Sequence, residues 1–275
     1  MTNPWLLRIV RPWIALPIVF VVSAGLSEDS TRRADHALTP QQARESAEVG
    51  LSCRLDKGAF TNGSREGVEI ALSFDVCPTS HTPPFAPELV AYLRRAHVPA
   101  TFFVAGQWAR ANPPDLQVLK ETPFFEIALH GDYHHHLQPG QPQAIQQEIE
   151  GGRAALVQLG AHPQPLFRPP YGDAPPELAA VARKESVLPV LWDSGLGDPD
   201  PNRTAAVMER DAFRWVQAGS IIVLHANGGG VATAELVRQL VPALRKRGYV
   251  FVPVSDLAAR CHLMPAQAPV RVSAR

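Results

Sequence analysis

The chain has 275 residues, enough for one large catalytic domain of the α/β kind and cramped for two. Its 26 basic and 26 acidic residues cancel, so it lacks the electrostatic footprint of a nucleic-acid binder, and no nucleic-acid partner is expected. A hydrophobic share of 45% rules out wholesale disorder, and the 27 prolines, several paired as in Pro113-Pro114 and Pro169-Pro170, suit rigid loops between elements.

The amino terminus carries Arg8 and Arg11, then an uncharged run over residues 12–26 in which Val22-Ser23-Ala24 forms a small-residue site. That layout predicts a secretory signal peptide over residues 1–26, with an uncleaved membrane anchor through residues 5–26 as the alternative. Either implies export, to the periplasm or the outside. Residues 27–50 are polar and charged with no sustained apolar face, and read as a linker. The folded domain is expected over residues 51–262, with a tail over 263–275. Cys53 and Cys261 flank that domain, so a disulfide between them would tie its ends together; buried free thiols are the alternative.

Inside the domain, strand-like and helix-like segments alternate. Residues 68–74, 100–104, 125–130, 166–167, 187–192, 220–224 and 249–254 read as strands; residues 87–96, 143–159, 176–184, 205–216 and 232–245 read as helices. In the longest helix Ile145, Ile149, Leu156 and Leu159 fall on one face, and Pro142 stands where a first-turn proline is tolerated. Such alternation predicts a parallel sheet with helical crossovers, open or closed into a barrel. The reactive residue types cluster in one respect: Asp75, His130, Arg168 and His225 each follow or end an apolar strand. In a parallel architecture the carboxyl ends of strands share one face, where ligand sites collect.

His130 and His134 stand four residues apart, so one turn or compact loop presents both imidazoles to a common point. With His135 and His136 alongside, such a run is more often a solvated loop than a set of ligands for a divalent metal, and its place after an apolar strand adds weight to the second reading. A metal there would polarise a carbonyl and acidify a water, leaving a carboxylate base and a proton donor still to be found. Asp75 and His225 are the residue types for those two roles.

The ordered set Ser73-Phe74-Asp75, His130-Gly131-Asp132-Tyr133-His134, Arg168-Pro169-Pro170-Tyr171, Trp192 with Asp198, and Ile222-Val223-Leu224-His225 resembles the five motifs of the polysaccharide deacetylases, carbohydrate esterase family four. The resemblance runs from about residue 68 to 256 and implies a distorted (β/α) barrel of about seven parallel strand-helix units. It implies Asp75 as catalytic base and His225 as catalytic acid, with Arg168 orienting Asp75 and Asp198 holding His225. It also implies His130 and His134 as metal ligands, zinc being the expected metal. Tyr171, Trp192 and Leu224 would bind substrate, Tyr171 through its amide at the oxyanion and the other two lining the acetyl pocket.

The expected substrate is an N-acetylated polysaccharide or oligosaccharide. A catalytically impaired sugar-binding homologue and a hydrolase of another non-peptide amide are the alternatives. Three positions depart from the family pattern: Val76 replaces the aspartate that serves as third metal ligand, Gly131 the usual serine or threonine, and Pro199 the usual tryptophan. Either the two histidines with Asp75 or water hold a metal more weakly, or Cys77, Asp132 or His81 supplies the missing ligand.

Overall fold

The computed structural model describes residues 53–78, 85–227, 230 and 232–265. The expected leader or anchor, the linker, His81 and most of the tail lie outside these residues. Among those described, no helix is long and apolar enough to cross a membrane.

The domain opens with an antiparallel hairpin, β1 (Arg54–Asp56) and β2 (Ala59–Asn62). Its two-residue turn, Lys57-Gly58, has φ of 48° and 77°, and two consecutive positive φ values give the turn whose twist matches the strands it joins. Glycine takes the second position without steric cost. The alternation follows: β3 (Glu69–Val76), α1 (Pro87–Arg95), β4 (Ala100–Val104), α2 (Gly106–Ala111), α3 (Pro113–Lys120), β5 (Phe125–Leu129) and α4 (Pro142–Gln158). Then come β6 (Leu166–Phe167), α5 (Leu178–Lys184), β7 (Leu188–Pro189), β8 (Ser194–Gly195), α6 (Ala205–Trp215), β9 (Ile221–His225), α7 (Thr233–Lys246), β10 (Val250–Phe251) and α8 (Val254–Arg260). Proline in the first turn starts α1, α3 and α4, where its missing N–H is no loss.

The eight-stranded sheet runs β7-β6-β5-β4-β3-β9-β8, with β10 paired to the start of β3, and its pairings are parallel. It is the curled (β/α) barrel that the alternation and the motifs imply. Strand parity divides the apolar residues into two sets. Leu72, Phe74, Val76, Phe102, Val104, Ile222 and Leu224 pack in the layer shared with the helices; Ala71, Phe103, Ala128, Leu166 and Ile221 pack in the interior.

Several segments differ from the sequence reading, which does not include the helices α2 and α3 between β4 and β5. The expected strand over 187–192 is broken: β7 lies at one edge of the sheet and β8 at the other, so residues 190–193 cross the opening between them. The hairpin, not expected from sequence, spans that opening. Phe60 bridges to Val190 and Asn62 to Ser220, while Arg65 ion-pairs with Asp193 at 2.7 Å. The expected last strand is also short, because Pro253 begins α8. Val254, Leu257, Ala258 and Cys261, at spacings of three, four and seven, plug the barrel interior from below, packing with Phe60 and Ile221.

Cys261 at the end of α8 is disulfide-bonded to Cys53 before the hairpin, a separation of 208 residues. The bond joins the ends of the domain and holds hairpin and plug helix together. By loop-closure entropy, the double variant Cys53→Ser with Cys261→Ser is expected to lose about 3–5 kcal/mol, read as a lower midpoint in urea unfolding.

Candidate active site

Asp75 and His225 are direct partners in the register of adjacent strands β3 and β9, so both leave the sheet at the same height and on its inner face. Asp75 is buried, and the fully buried Arg168 donates from Nη1 to its Oδ1 at 2.8 Å. The guanidinium lies 3.9 Å from the centre of the Phe103 ring, with Trp192 on another side at 5.6 Å. Burial alone would favour the neutral acid, but the Arg168 guanidinium, with smaller contributions from the His130 and His225 rings, outweighs it and holds Asp75 below the usual carboxylate range. Asp75 is therefore a carboxylate at neutral pH.

His225 is fixed by Asp198, which sits in the loop between β8 and α6. Its Nδ1 lies 3.1 Å from Asp198 Oδ1, and its backbone N–H donates to Oδ2 at 2.7 Å. Thr233, at the start of α7, donates to the same Oδ2 at 2.7 Å. With Nδ1–H committed to Asp198, Nε2 is the nitrogen offered to the site. Burial favours the neutral ring, yet the hydrogen bond and charge of Asp198, with Asp75 adding to them, raise the pKa above the ordinary value.

His130 and His134 come together as their spacing implies. Nδ1 of His130 donates to the Arg168 carbonyl at 2.9 Å, which fixes the tautomer and leaves Nε2 as a lone-pair donor. That Nε2 is 3.1 Å from His134 Nε2, the rings meeting edge to face. Burial pushes His130 down despite Asp75, and burial followed by the neighbouring His130 brings His134 to about 3, so both rings are neutral. Cys77 Sγ is 3.6 Å from His130 Nε2, and the three donor atoms lie within 4.8 Å of one another. Neutral imidazoles with a thiol converging on one point form a donor set that fits a divalent metal. Asp132 does not join it: its carboxylate ion-pairs with Arg110 at 2.6 Å.

The loop carrying both histidines is organised by a residue that the motif pattern does not mark. Glu148 on α4 is buried, and its Oε2 accepts from the backbone N–H groups of Asp132, Tyr133 and His134 at 2.7, 3.2 and 3.1 Å. Gly131 has φ of 82°, and a Cβ there would stand 2.3 Å from this same oxygen, so serine in its place would disrupt the grip. Glu148 falls three residues after Ile145 on the buried face of its helix; an acidic residue on an apolar face was the available signal. Glu148→Gln is expected to lower stability by about 1–3 kcal/mol, with faster hydrogen exchange confined to the amides of residues 132–134.

The three expected substrate contacts are placed unequally. Tyr171 is exposed at the rim, its ring edge-on to His134 at 4.6 Å and stacked on His136 at 3.7 Å. Both His134 and Tyr171 have left-handed backbones, φ 64° and 59°, each costing about 1–2 kcal/mol, a strain typical of positions where side-chain aim matters. Trp192 is half-buried beside Arg168, on the interior side. Leu224 does not face the site: it is fully buried in the layer between sheet and helices, paired in register with Phe74. Strand alternation turns it outward and gives the inner face to its neighbour Val223. Tyr133 and His135, stacked at 5.7 Å, extend the aromatic rim beyond what the sequence reading marked.

Residues 62–188 match the family model described as polysaccharide deacetylase. A peptidoglycan-N-acetylglucosamine deacetylase of Bacillus cereus is 30% identical over 197 residues, covering 70% of this chain and 89% of that protein. The chain belongs to the polysaccharide deacetylase family. A bifunctional xylanase/deacetylase of Pseudobutyrivibrio xylanivorans is 26% identical over 76% of this deacetylase-family chain, which spans only 33% of that longer protein. Among solved structures, a family 4 acetyl xylan esterase from Clostridium thermocellum in complex with a cobalt ion superposes with a TM-score of 0.61 at 25% identity, covering 70% of this chain and 90% of that one. The deacetylase fold and the paired histidines thus stand beside a relative whose structure holds a metal.

Proposed function

We propose that this member of the polysaccharide deacetylase family removes N-acetyl groups from an exported or envelope glycan by attack of water on the amide carbonyl. One observation carries the reading: Asp75 and His225 emerge side by side from adjacent strands, each locked to its own partner, next to the facing Nε2 atoms of His130 and His134. A divalent metal, zinc by expectation, held by the two histidines would polarise the acetyl carbonyl and acidify the attacking water.

The chain's own residues divide the proton work. Asp75, kept charged by Arg168, takes the proton of the water. His225, kept protonated by Asp198, gives its Nε2 proton to the departing amine. Two groups with environments that push them in opposite directions form a natural base and acid. The backbone amide of Tyr171 serves the oxyanion, while Trp192 lines the acetyl pocket and the exposed Tyr171 ring, backed by His136, offers a flat face to sugar. Export is supported by the leader-like residues 1–26 and by a disulfide of the kind that persists in oxidising compartments. The substrate class follows the N-acetylglucosamine named for the Bacillus cereus relative.

The test is mass spectrometry of N-acetylglucosamine oligomers and of peptidoglycan fragments after incubation with the purified protein. Loss of acetyl groups from either, absent with His225→Ala, supports the reading. Oligomer binding without acetyl loss under any added divalent metal would favour the impaired sugar-binding homologue, and acetyl loss from neither with cleavage of small amides the third reading.

A further inference from the structure

We propose that Cys77 is the third protein ligand at this site, replacing a carboxylate with a thiolate and giving a one-thiolate, two-imidazole set for zinc or cobalt(II). The inference rests on the proposal that His130 and His134 hold a divalent metal.

Placement selects Cys77 over its neighbour. Val76, the last residue of β3, is fully buried in the helix-side layer with Phe74, whereas the Cys77 thiol just beyond the strand reaches His130 Nε2 at 3.6 Å. The position of Cys77 is set from both sides by buried Asn227: the Cys77 N–H donates to Asn227 Oδ1 at 3.2 Å, and Asn227 Nδ2 donates to the Cys77 carbonyl at 2.6 Å. The clamp satisfies both backbone groups of Cys77 and fixes the stretch of chain that carries its side chain.

Zinc bonds of about 2.3 Å to sulfur and about 2.0–2.1 Å to nitrogen, at tetrahedral angles, set S···N near ~3.6 Å and N···N near ~3.3 Å. The observed separations are 3.6 Å for Cys77 Sγ to His130 Nε2 and 3.1 Å for the two Nε2 atoms. Two edges of the triangle thus match those a tetrahedral ion imposes, and the third, from Cys77 Sγ to His134 Nε2, lies within 4.8 Å. Asp75, 3.7 Å from His130 Nε2 and bonded to Arg168, stays free for proton transfer.

A thiolate carries the same single negative charge as the carboxylate it replaces, so the charge of the site is preserved. Metal binding breaks the S–H bond of Cys77, forms the metal–sulfur bond, and releases one proton to solvent. Softness is what changes: a thiolate favours zinc and cobalt(II) over magnesium or calcium. Cys53 and Cys261 are disulfide-bonded, which leaves Cys77 as the free thiol among the described residues and makes the test unambiguous.

The experiment is cobalt(II) titration of the oxidised full chain, followed by absorption and by alkylation of the free thiol. Expected are cobalt d–d bands of tetrahedral intensity together with a near-ultraviolet thiolate-to-cobalt charge-transfer band, and protection of Cys77 from alkylation by cobalt or zinc. Cys77→Ala should abolish the charge-transfer band and weaken zinc by roughly 100-fold or more, while Cys77→Asp restores binding without the band. Metal bound through His130 and His134 with no charge-transfer band, and with affinity unchanged in Cys77→Ala, would overturn the role of Cys77 and leave the metal-assisted reading standing. Failure of the folded chain to bind any divalent metal would overturn both.

Discussion

Asp75→Asn is expected to lower the rate of acetate release by about 10²–10⁴-fold, equivalent to about 3–5 kcal/mol of barrier, with little change in far-ultraviolet circular dichroism. Asparagine is nearly the same size and still offers an oxygen to Arg168 Nη1, so the buried contact at 2.8 Å has a substitute acceptor. What it lacks is a basic oxygen to receive the water proton. KM for the oligomer should move little, because in the proposed reaction Asp75 acts on the water and not on the sugar. A matched fall in binding and rate would instead mark Asp75 as a structural anchor.

Arg168→Met is expected to cost about 3–5 kcal/mol of stability, since it leaves the Asp75 carboxylate buried without its cation. The pH dependence fixes the sign. In the native chain Asp75 has a pKa below its unfolded value, so its pairing adds stability that is present above the unfolded carboxylate value of about 3.9 and is lost as pH falls through the lower folded value. Without Arg168, burial dominates and the folded pKa moves above the unfolded one. The variant should then lose stability as pH rises toward neutrality, and urea midpoints at acid and neutral pH read this directly. Adding Asp75→Asn should recover part of the loss, because the uncompensated charge is gone.

The activity profile follows from the two opposite shifts. Asp75 must be charged, so the acid limb lies below the ordinary carboxylate range. His225 must be protonated, so the alkaline limb lies above the ordinary histidine value of about 6.5. Asp198→Asn removes the charge that raises His225, and the alkaline limb should move to lower pH.

How much of this was legible beforehand depends on the kind of contact. Asp75, His130, Arg168 and His225 stand at strand ends, and parallel strands align their ends whatever lies between them, so residues far apart in sequence were expected to converge, and they do. The pairing of His225 with Asp198 rested on motif order, and the geometry places the two in contact. Orientation was less accessible. Leu224 follows Val223 in an apolar strand whose inward and outward residues look alike in sequence, and only the register with Phe74 shows which way it turns. Likewise, nothing in the sequence shows that Val76 turns into the helix-side layer while Cys77 reaches His130.

Contacts between a side chain and distant backbone were hardest to read: Glu148 shows only as an acidic residue on an apolar helix face, with nothing to say that it grips the loop of Asp132 to His134, and Asn227 clamping Cys77 has no periodic trace. The hairpin escaped because Lys57-Gly58 is a weak turn signal and its strands are short. Helix α8 escaped because Val254, the end of an expected strand, is also its first residue.

The most direct test of the account is acetate release from N-acetylglucosamine oligomers by one preparation, measured as purified, after removal of metal by a chelator, and after zinc is returned. Release should disappear with the metal, return with zinc, and not return in Asp75→Asn. Release that persists undiminished in the metal-free protein, or its absence under every divalent metal supplied, would contradict it.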